Sequence, residues 1–322
     1  MNREALDPAV QTVSAIYKEA MDPLQRYGTY AFFPYLPTTA SPSDHPPIKV
    51  NHASTWTYCG PLLKPVDLPP SLHSWSKATV SSSSALLQRL VPLLAFLHSF
   101  LEKAGVQHYW LTLRATTPTS EYDTPRWHVD DDFFSPLTSI PPPHDVRGGS
   151  KRQKRAKGRA EKDRKEPSWK LCTTLLGPST LFLHHSCNAS ALQSLHSTKQ
   201  REGAKREHVC SSIRCAGCFD TGDAVRQSLA AALREEKVVQ AEYGKIAFFR
   251  IGEEGAVHSE PPCGVDRIFV NVVPGTEEEL RELMKRFGME FPRAWSLGLP
   301  GGSATPDELA VGIKREHIGK LP

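Results

Sequence analysis

GKIAFFRIGEEGAVHSEPPCGVDRIFVNVVP, residues 244 to 274, is the stretch from which the fold is read. An aromatic run ends near Ile251, a loop carries His258, and nine residues later Arg267 opens a second run rich in β-branched residues. Both runs have the length and composition of strands. In the second, a period of two puts Arg267, Phe269 and Asn271 on one face and Ile268, Val270 and Val272 on the other. Arginine and asparagine opposite unbroken aliphatics predict a sheet lying between an apolar core and a polar pocket. An anionic ligand would account for the arginine.

Similar short runs stand at 108 to 116 (HYWLTLRAT), 169 to 176 and 179 to 184, so a sheet is expected. Two interruptions, about 140 to 167 and 186 to 242, read as insertions, the second with a helical portion from Asp223 to Glu236. Upstream, Ser81 to Ser84 offer N-caps to a helix over Leu86 to Leu101, where Leu87, Leu90, Leu94, Leu97 and Leu101 recur at three and four, with Ala104-Gly105 as its stop. Pro92 is expected to bend it. Residues 38 to 70, dense in Pro, Ser, Thr and His, read as extended or irregular chain wrapping a surface. Glu277 to Phe287 reads as a short helix with acids first and bases last, followed by a Gly/Pro/Ser-rich tail.

The chain has 322 residues, 39% of them hydrophobic, enough for a sizeable core. Residues 151 to 165 (KRQKRAKGRAEKDRK) hold nine Lys/Arg against two acids in a chain whose net charge is only +4. The basic character is therefore one segment's property, which argues against reading the whole protein as a nucleic-acid binder; the segment could be an import signal, a contact for nucleic acid or an acidic protein, or a solvated loop. The seven Cys are dispersed and the start of the chain is charged throughout, so a reducing compartment, cytoplasmic or nuclear, is expected. Polar residues and Pro92 interrupt the longest apolar run, Leu86 to Leu101, and no membrane span is expected. Asn188-Ala189-Ser190 is read as a chance glycosylation sequon. His208, Cys210, Cys215 and Cys218 form H-x-C-x4-C-x2-C, a spacing that could serve zinc or an iron-sulfur cluster with Cys187 or Cys263, or no metal at all.

In TPRWHVDDDFF (124 to 134), His128 and Asp130 are two apart and in a strand share a face, where an imidazole and a carboxylate could hold one ion. His128-x-Asp130, the distant His258 and the basic Arg267 together resemble the signature of the Fe(II)/2-oxoglutarate-dependent dioxygenase superfamily. WKLCTTLLGPSTLFL (169 to 183) and GKIAFFRIG resemble the strands flanking the ligands in its prolyl-hydroxylase-like branch. The similarity spans about residues 107 to 275. Its nine-residue His-to-Arg offset is one shorter than in many members, and 130 residues separate the two histidines. Glu260 is an alternative acid, as His258-x-Glu260, although it precedes Pro261-Pro262; Asp131 and Asp132 are further alternatives.

The resemblance implies a mainly β fold with flanking helices (α+β), its core a double-stranded β-helix or jelly-roll at residues 107–290. Residues 1–106 would be an N-terminal extension with the buttressing helix, and 291–322 a tail. It implies Fe(II) held by His128, Asp130 and His258, with 2-oxoglutarate and O2 as cosubstrates. Arg267 would take the keto acid's far carboxylate, as a guanidinium fork suits a carboxylate in a dry pocket. By parity Thr173 or Thr174, and on the Arg267 face Asn271, are added as cofactor contacts. Hydroxylation of a small-molecule or protein substrate, with release of succinate and CO2, is the implied reaction. The competing expectations are a non-catalytic jelly-roll binding module and a nuclear adaptor using the basic loop.

Overall fold

The computed structural model describes residues 29–134, 168–206 and 216–300. The basic segment 151 to 165 and the ligand-spaced His208, Cys210 and Cys215 lie outside them, while Cys218 is exposed on a helix.

Ten strands and five α-helices are described. In chain order they are β1 (Tyr30–Pro34), β2 (Ser54–Pro61), α1 (Pro70–Thr79), α2 (Ser83–Lys103), β3 (His108–Thr116), β4 (Trp169–Leu176), β5 (Leu181–Leu183) and α3 (His185–Lys205). There follow α4 (Ala216–Ala232), β6 (Val238–Gln240), β7 (Lys245–Arg250), β8 (His258–Ser259), β9 (Arg267–Gly275), α5 (Glu277–Arg286) and β10 (Arg293–Leu297). Seven strands form one sheet in the order β1-β7-β4-β9-β3-β2-β10, and three form another, β6-β5-β8. Every strand pairing is antiparallel.

The large sheet separates two environments, as the alternation in β9 demands. On one face Leu111, Leu113, Leu171, Leu175, Ile246, Phe248, Ile268, Val270 and Val272 pack in one apolar cluster with α2. Leu86, Leu90, Leu93, Leu94, Leu97 and Leu101 of α2 are all buried in it. Each such leucine is worth about 1.5–3 kcal/mol of burial. On the other face Tyr30, Cys172, Ala247 and Phe249 pack against Phe182 of the small sheet. The site lies on that second side.

Helix α2 begins where the serines predict, with the Ser82 side chain accepting from the Ala85 N–H, and continues through Pro92. It stops at Gly105, whose φ of 78° is the left-handed conformation that glycine adopts without strain. Contrary to the sequence expectation, this 21-residue helix is long and apolar enough to cross a membrane by length and composition. Half of its most apolar window is buried inside the protein, where it covers the sheet.

The large sheet reaches beyond residues 107 to 290 at both ends. Residues 54 to 61, within the stretch read as extended or irregular, are strand β2, paired in register with β3 from Ser54↔Ala115 to Pro61↔His108. The flanking prolines mask the apolar face of this strand: Trp56 is fully buried, and Tyr58, two residues on, packs half-buried against the same cluster. In the Gly/Pro/Ser-rich tail, Arg293–Leu297 forms the edge strand β10 against β2. The interruption at 186 to 242 contains the pair α3 and α4 together with β6, which completes the small sheet.

Candidate metal centre

His128 and His258 are brought together by backbone pairing. Each N–H donates to the other's carbonyl, at 3.0 Å from His128 and 2.9 Å from His258, in an isolated antiparallel bridge. Close pairing sets both side chains to one side, and the ring centroids are 4.3 Å apart. His258 lies against Phe182 and Phe249, at 5.6 and 5.0 Å between centroids, and is 5% exposed. Asp130 follows two residues after His128, its carbonyl accepting from the Gly252 N–H at 2.8 Å.

The ligand-capable atoms of His128, Asp130 and His258 all lie within 4.8 Å of one another. Nε2 of His128 is 3.7 Å from Oδ1 of Asp130, and Nε2 of His258 is 3.5 Å from Oδ2. The other ring nitrogens fix the tautomers. Nδ1 of His128 is 2.7 Å from the Arg126 carbonyl, and Nδ1 of His258 is 2.9 Å from the Ala256 carbonyl. A carbonyl only accepts, so both Nδ1 atoms carry protons and a neutral ring points a bare Nε2 lone pair at the carboxylate. Lone pairs facing a carboxylate repel unless a proton or a cation stands between them. Anchoring of Nδ1 by a carbonyl is also how metal-bound histidines are commonly oriented.

Electrostatics favour the ligating forms. Desolvation, then the neighbouring imidazole of His258, hold the pKa of His128 below its ordinary value. Burial by itself raises that of Asp130, but a proton on Nε2 of His258, with its hydrogen bond and charge, together with Lys170 at 2.6 Å, outweighs it and keeps the carboxyl well below the usual carboxylate range. Of the alternative acids, Glu260 lines the same cavity but lies outside the converging set, Asp131 is exposed, and Asp132 accepts from Ser168.

The cavity has a volume of about 210 Å³. Arg267, Phe269 and Asn271 of β9 line it together, on the face their alternation predicts. Arg267 is 2% exposed and its Nε donates to the Pro178 carbonyl at 2.9 Å, whereas its Nη2 is buried without a partner. Burial, then the charge of Arg114, lower its pKa to about 10, so it remains a cation at neutral pH. Its guanidinium lies 4.6 Å from the Phe269 ring centroid, and Oδ1 of Asn271 is likewise buried and unpartnered.

Thr173 is a correction. Its hydroxyl donates to the Lys245 carbonyl at 2.7 Å, and β4 alternation puts it with Leu171 and Leu175 on the α2 side. Lys170, Cys172 and Thr174 take the opposite face, and the buried Thr174 hydroxyl lacks a partner. Sequence reasoning also passed over Lys170, Arg114, Thr112 and Thr180, which line the cavity. The available signal was a charge inside each strand-like run, on the parity of the pocket.

Asn188 is not an exposed sequon. Buried on α3, it donates to the Gly255 carbonyl at 3.1 Å and accepts from the Val257 N–H at 2.8 Å, bracketing the Ala256 carbonyl that orients His258.

No family model and no curated protein matches the chain. Solved structures similar to it at low level include two hydroxylases. One is a prolyl hydroxylase from Trichoplax adhaerens, solved in complex with a hypoxia inducible factor oxygen degradation domain peptide fragment. It has 8% identity and a TM-score of 0.35, over 86% of this chain and 96% of that one. The other is a Pseudomonas putida prolyl-4-hydroxylase, with 11% identity and a TM-score of 0.30, over 81% and 99%.

Proposed function

We propose that this chain is an Fe(II)/2-oxoglutarate-dependent dioxygenase built on a jelly-roll, the large and small antiparallel sheets enclosing the site. The observation that carries the reading is one cavity holding two imidazole Nε2 atoms and a carboxylate in convergence, together with a buried, partnerless guanidinium nitrogen.

The donor set fits a divalent iron: two neutral imidazoles and one carboxylate are the ligands of the facial triad, which leaves positions for a chelating keto acid and O2. When bound, iron with 2-oxoglutarate and O2 supplies oxidation of a substrate C–H bond, usually hydroxylation, with release of succinate and CO2. His128, Asp130 and His258 hold the ion. The Arg126 and Ala256 carbonyls keep each Nδ1 protonated, so Nε2 stays free to ligate. Arg267 binds the far carboxylate of the keto acid through Nη2, and Asn271 offers a second polar contact beside it. Phe182 and Phe249 pack against His258 and exclude water from that side. Fe(II) and the thiols of Cys59, Cys172, Cys187 and Cys263 suit a reducing compartment, the cytoplasm or nucleus.

The test is metal content after anaerobic purification, together with succinate formation from 2-oxoglutarate without added substrate. We expect iron bound in proportion to protein and slow uncoupled turnover, both lost in His128→Ala and His258→Ala with unchanged circular dichroism. A wild-type protein with neither iron nor turnover would instead be a jelly-roll binding module.

A further inference from the structure

The geometry points to a second anion subsite in this cavity, built on Arg114, which makes the substrate a small carboxylic acid; the inference rests on the oxygenase reading. Arg114 of β3 stands opposite Phe269 in the sheet, and its guanidinium lies 5.4 Å from that ring's centroid. Arg267 lies over the same ring. Two guanidiniums thus share one aromatic side chain within one cavity, and their like charges repel.

Their counter-charges are too few. Three cations line the cavity, Arg114, Lys170 and Arg267, against two carboxylates, Asp130 and Glu260. Lys170 and Asp130 hold each other at 2.6 Å. Among the described residues that line the cavity, Glu260 alone is left for both arginines, and its approach to Arg114 is 3.8 Å, beyond hydrogen-bonding distance. Nε of Arg114 is buried and unpartnered, as is Nη2 of Arg267. An unpaired donor on a buried charge is costly, and a divalent ion at the histidines adds to the positive excess.

A doubly charged keto acid spanning the metal and Arg267 would leave Arg114 uncompensated. A monocarboxylate would complete it through charge-assisted hydrogen bonds. With a side chain about one third exposed, Arg114 is reachable from solvent while 2-oxoglutarate occupies Arg267. A cavity of about 210 Å³ then has room beside the keto acid for a small acid. Arg114 would hold the substrate's carboxylate and present its C–H bonds to the metal.

The full chain loaded with Mn(II) and saturated with 2-oxoglutarate provides the test, with acetate carrying 13C at its carboxyl carbon as the probe. We expect saturable paramagnetic relaxation of the probe carbon, with acetate affinity weakened roughly tenfold or more in Arg114→Gln and partly restored in Arg114→Lys. Mn(II) and 2-oxoglutarate affinities should stay at wild-type values in both variants. Absence of saturable relaxation in the wild type, or its persistence in Arg114→Gln, overturns the subsite. So does an equal loss of 2-oxoglutarate affinity in Arg114→Gln and Arg267→Gln, because both guanidiniums then serve one anion. Failure of Mn(II) to bind the wild type overturns the oxygenase reading and this inference together.

Discussion

Lys170 Nζ stands 2.6 Å from Oδ2 of Asp130, while Oδ1 of the same carboxylate faces Nε2 of His128 at 3.7 Å. The lysine therefore fixes which oxygen is turned to which neighbour. Both side chains are largely buried, so Lys170→Met strands a desolvated carboxylate. We expect a loss of about 2 kcal/mol in the metal-free protein, below the 3–5 of a fully buried pair because water still reaches the site. A bound divalent cation replaces the missing charge, so thermal melts should show the deficit shrinking under saturating Mn(II). An identical deficit with and without metal would refute this.

Arg267 is positioned by Gly177. With φ at +80°, this glycine lies so close that a Cβ would be 2.6 Å from the Asp266 carbonyl and 3.1 Å from Cα of Arg267. Gly177→Ala must shift the strand that presents the guanidinium. Steady-state kinetics should give a KM for 2-oxoglutarate raised roughly tenfold, with Arg267→Gln at least as severe. Iron affinity should be unchanged in both, and a normal KM in Gly177→Ala would contradict the assigned role.

Asn188 touches no ligand-capable atom of the triad, yet it clamps the backbone on either side of Ala256. Asn188→Leu leaves the Gly255 carbonyl and the Val257 N–H unpaired, at about 1–3 kcal/mol. Losing an outer contact of this kind weakens metal binding by roughly 10- to 100-fold. Equilibrium dialysis with Mn(II) measures it, and Asn188→Asp, which keeps the acceptor for Val257, should fall between.

Alkaline pH should unfold the protein through buried thiols and a buried phenol rather than through the candidate metal ligands. Burial raises the thiols of Cys172 and Cys59 from 9.0 to about 11 and about 12, and the Tyr35 phenol from 10.0 to about 12. The folded chain thus keeps these protons to higher pH than the unfolded chain does. Their contribution is complete below the unfolded values and is lost as pH rises through the folded ones. Urea midpoints should hold to roughly pH 9 and then fall toward pH 11. A flat profile over that range would show that these groups titrate alike in both states.

The resemblance to the dioxygenase signature, more than any short-range pattern, singled out the candidate site residues. The two-residue offset of His128 and Asp130, the distant His258 and the parity of Arg267, Phe269 and Asn271 all survive in the structure, as do α2 and its serine cap. Local pattern could not show what depends on neighbours. Thr173 and Thr174 look interchangeable until β4 is registered against β9, where Thr173 pairs with Val270 and Thr174 with Phe269. β2 was hidden because prolines at both flanks signal irregular chain, although Trp56 and Cys59 are anchored by burial between β3 and β10. Helix α3 escaped because its 21 residues are mostly polar, with Asn188, Ala191, Leu195, Thr198 and Glu202 buried. Arg114 and Lys170 carry ordinary charges whose meaning appears only when four strands and the segments of His128, Thr180 and Glu260 enclose them.

The paired backbones of His128 and His258 set a condition on synthesis. Because the bridge joins segments 130 residues apart, a nascent chain still short of residue 258 contains the first imidazole and the acid but no place that holds an ion. On the proposed reading, metal capture would therefore come late, after β7 and β8 have left the ribosome and the small sheet has closed. Iron loading would thus report closure of the small sheet.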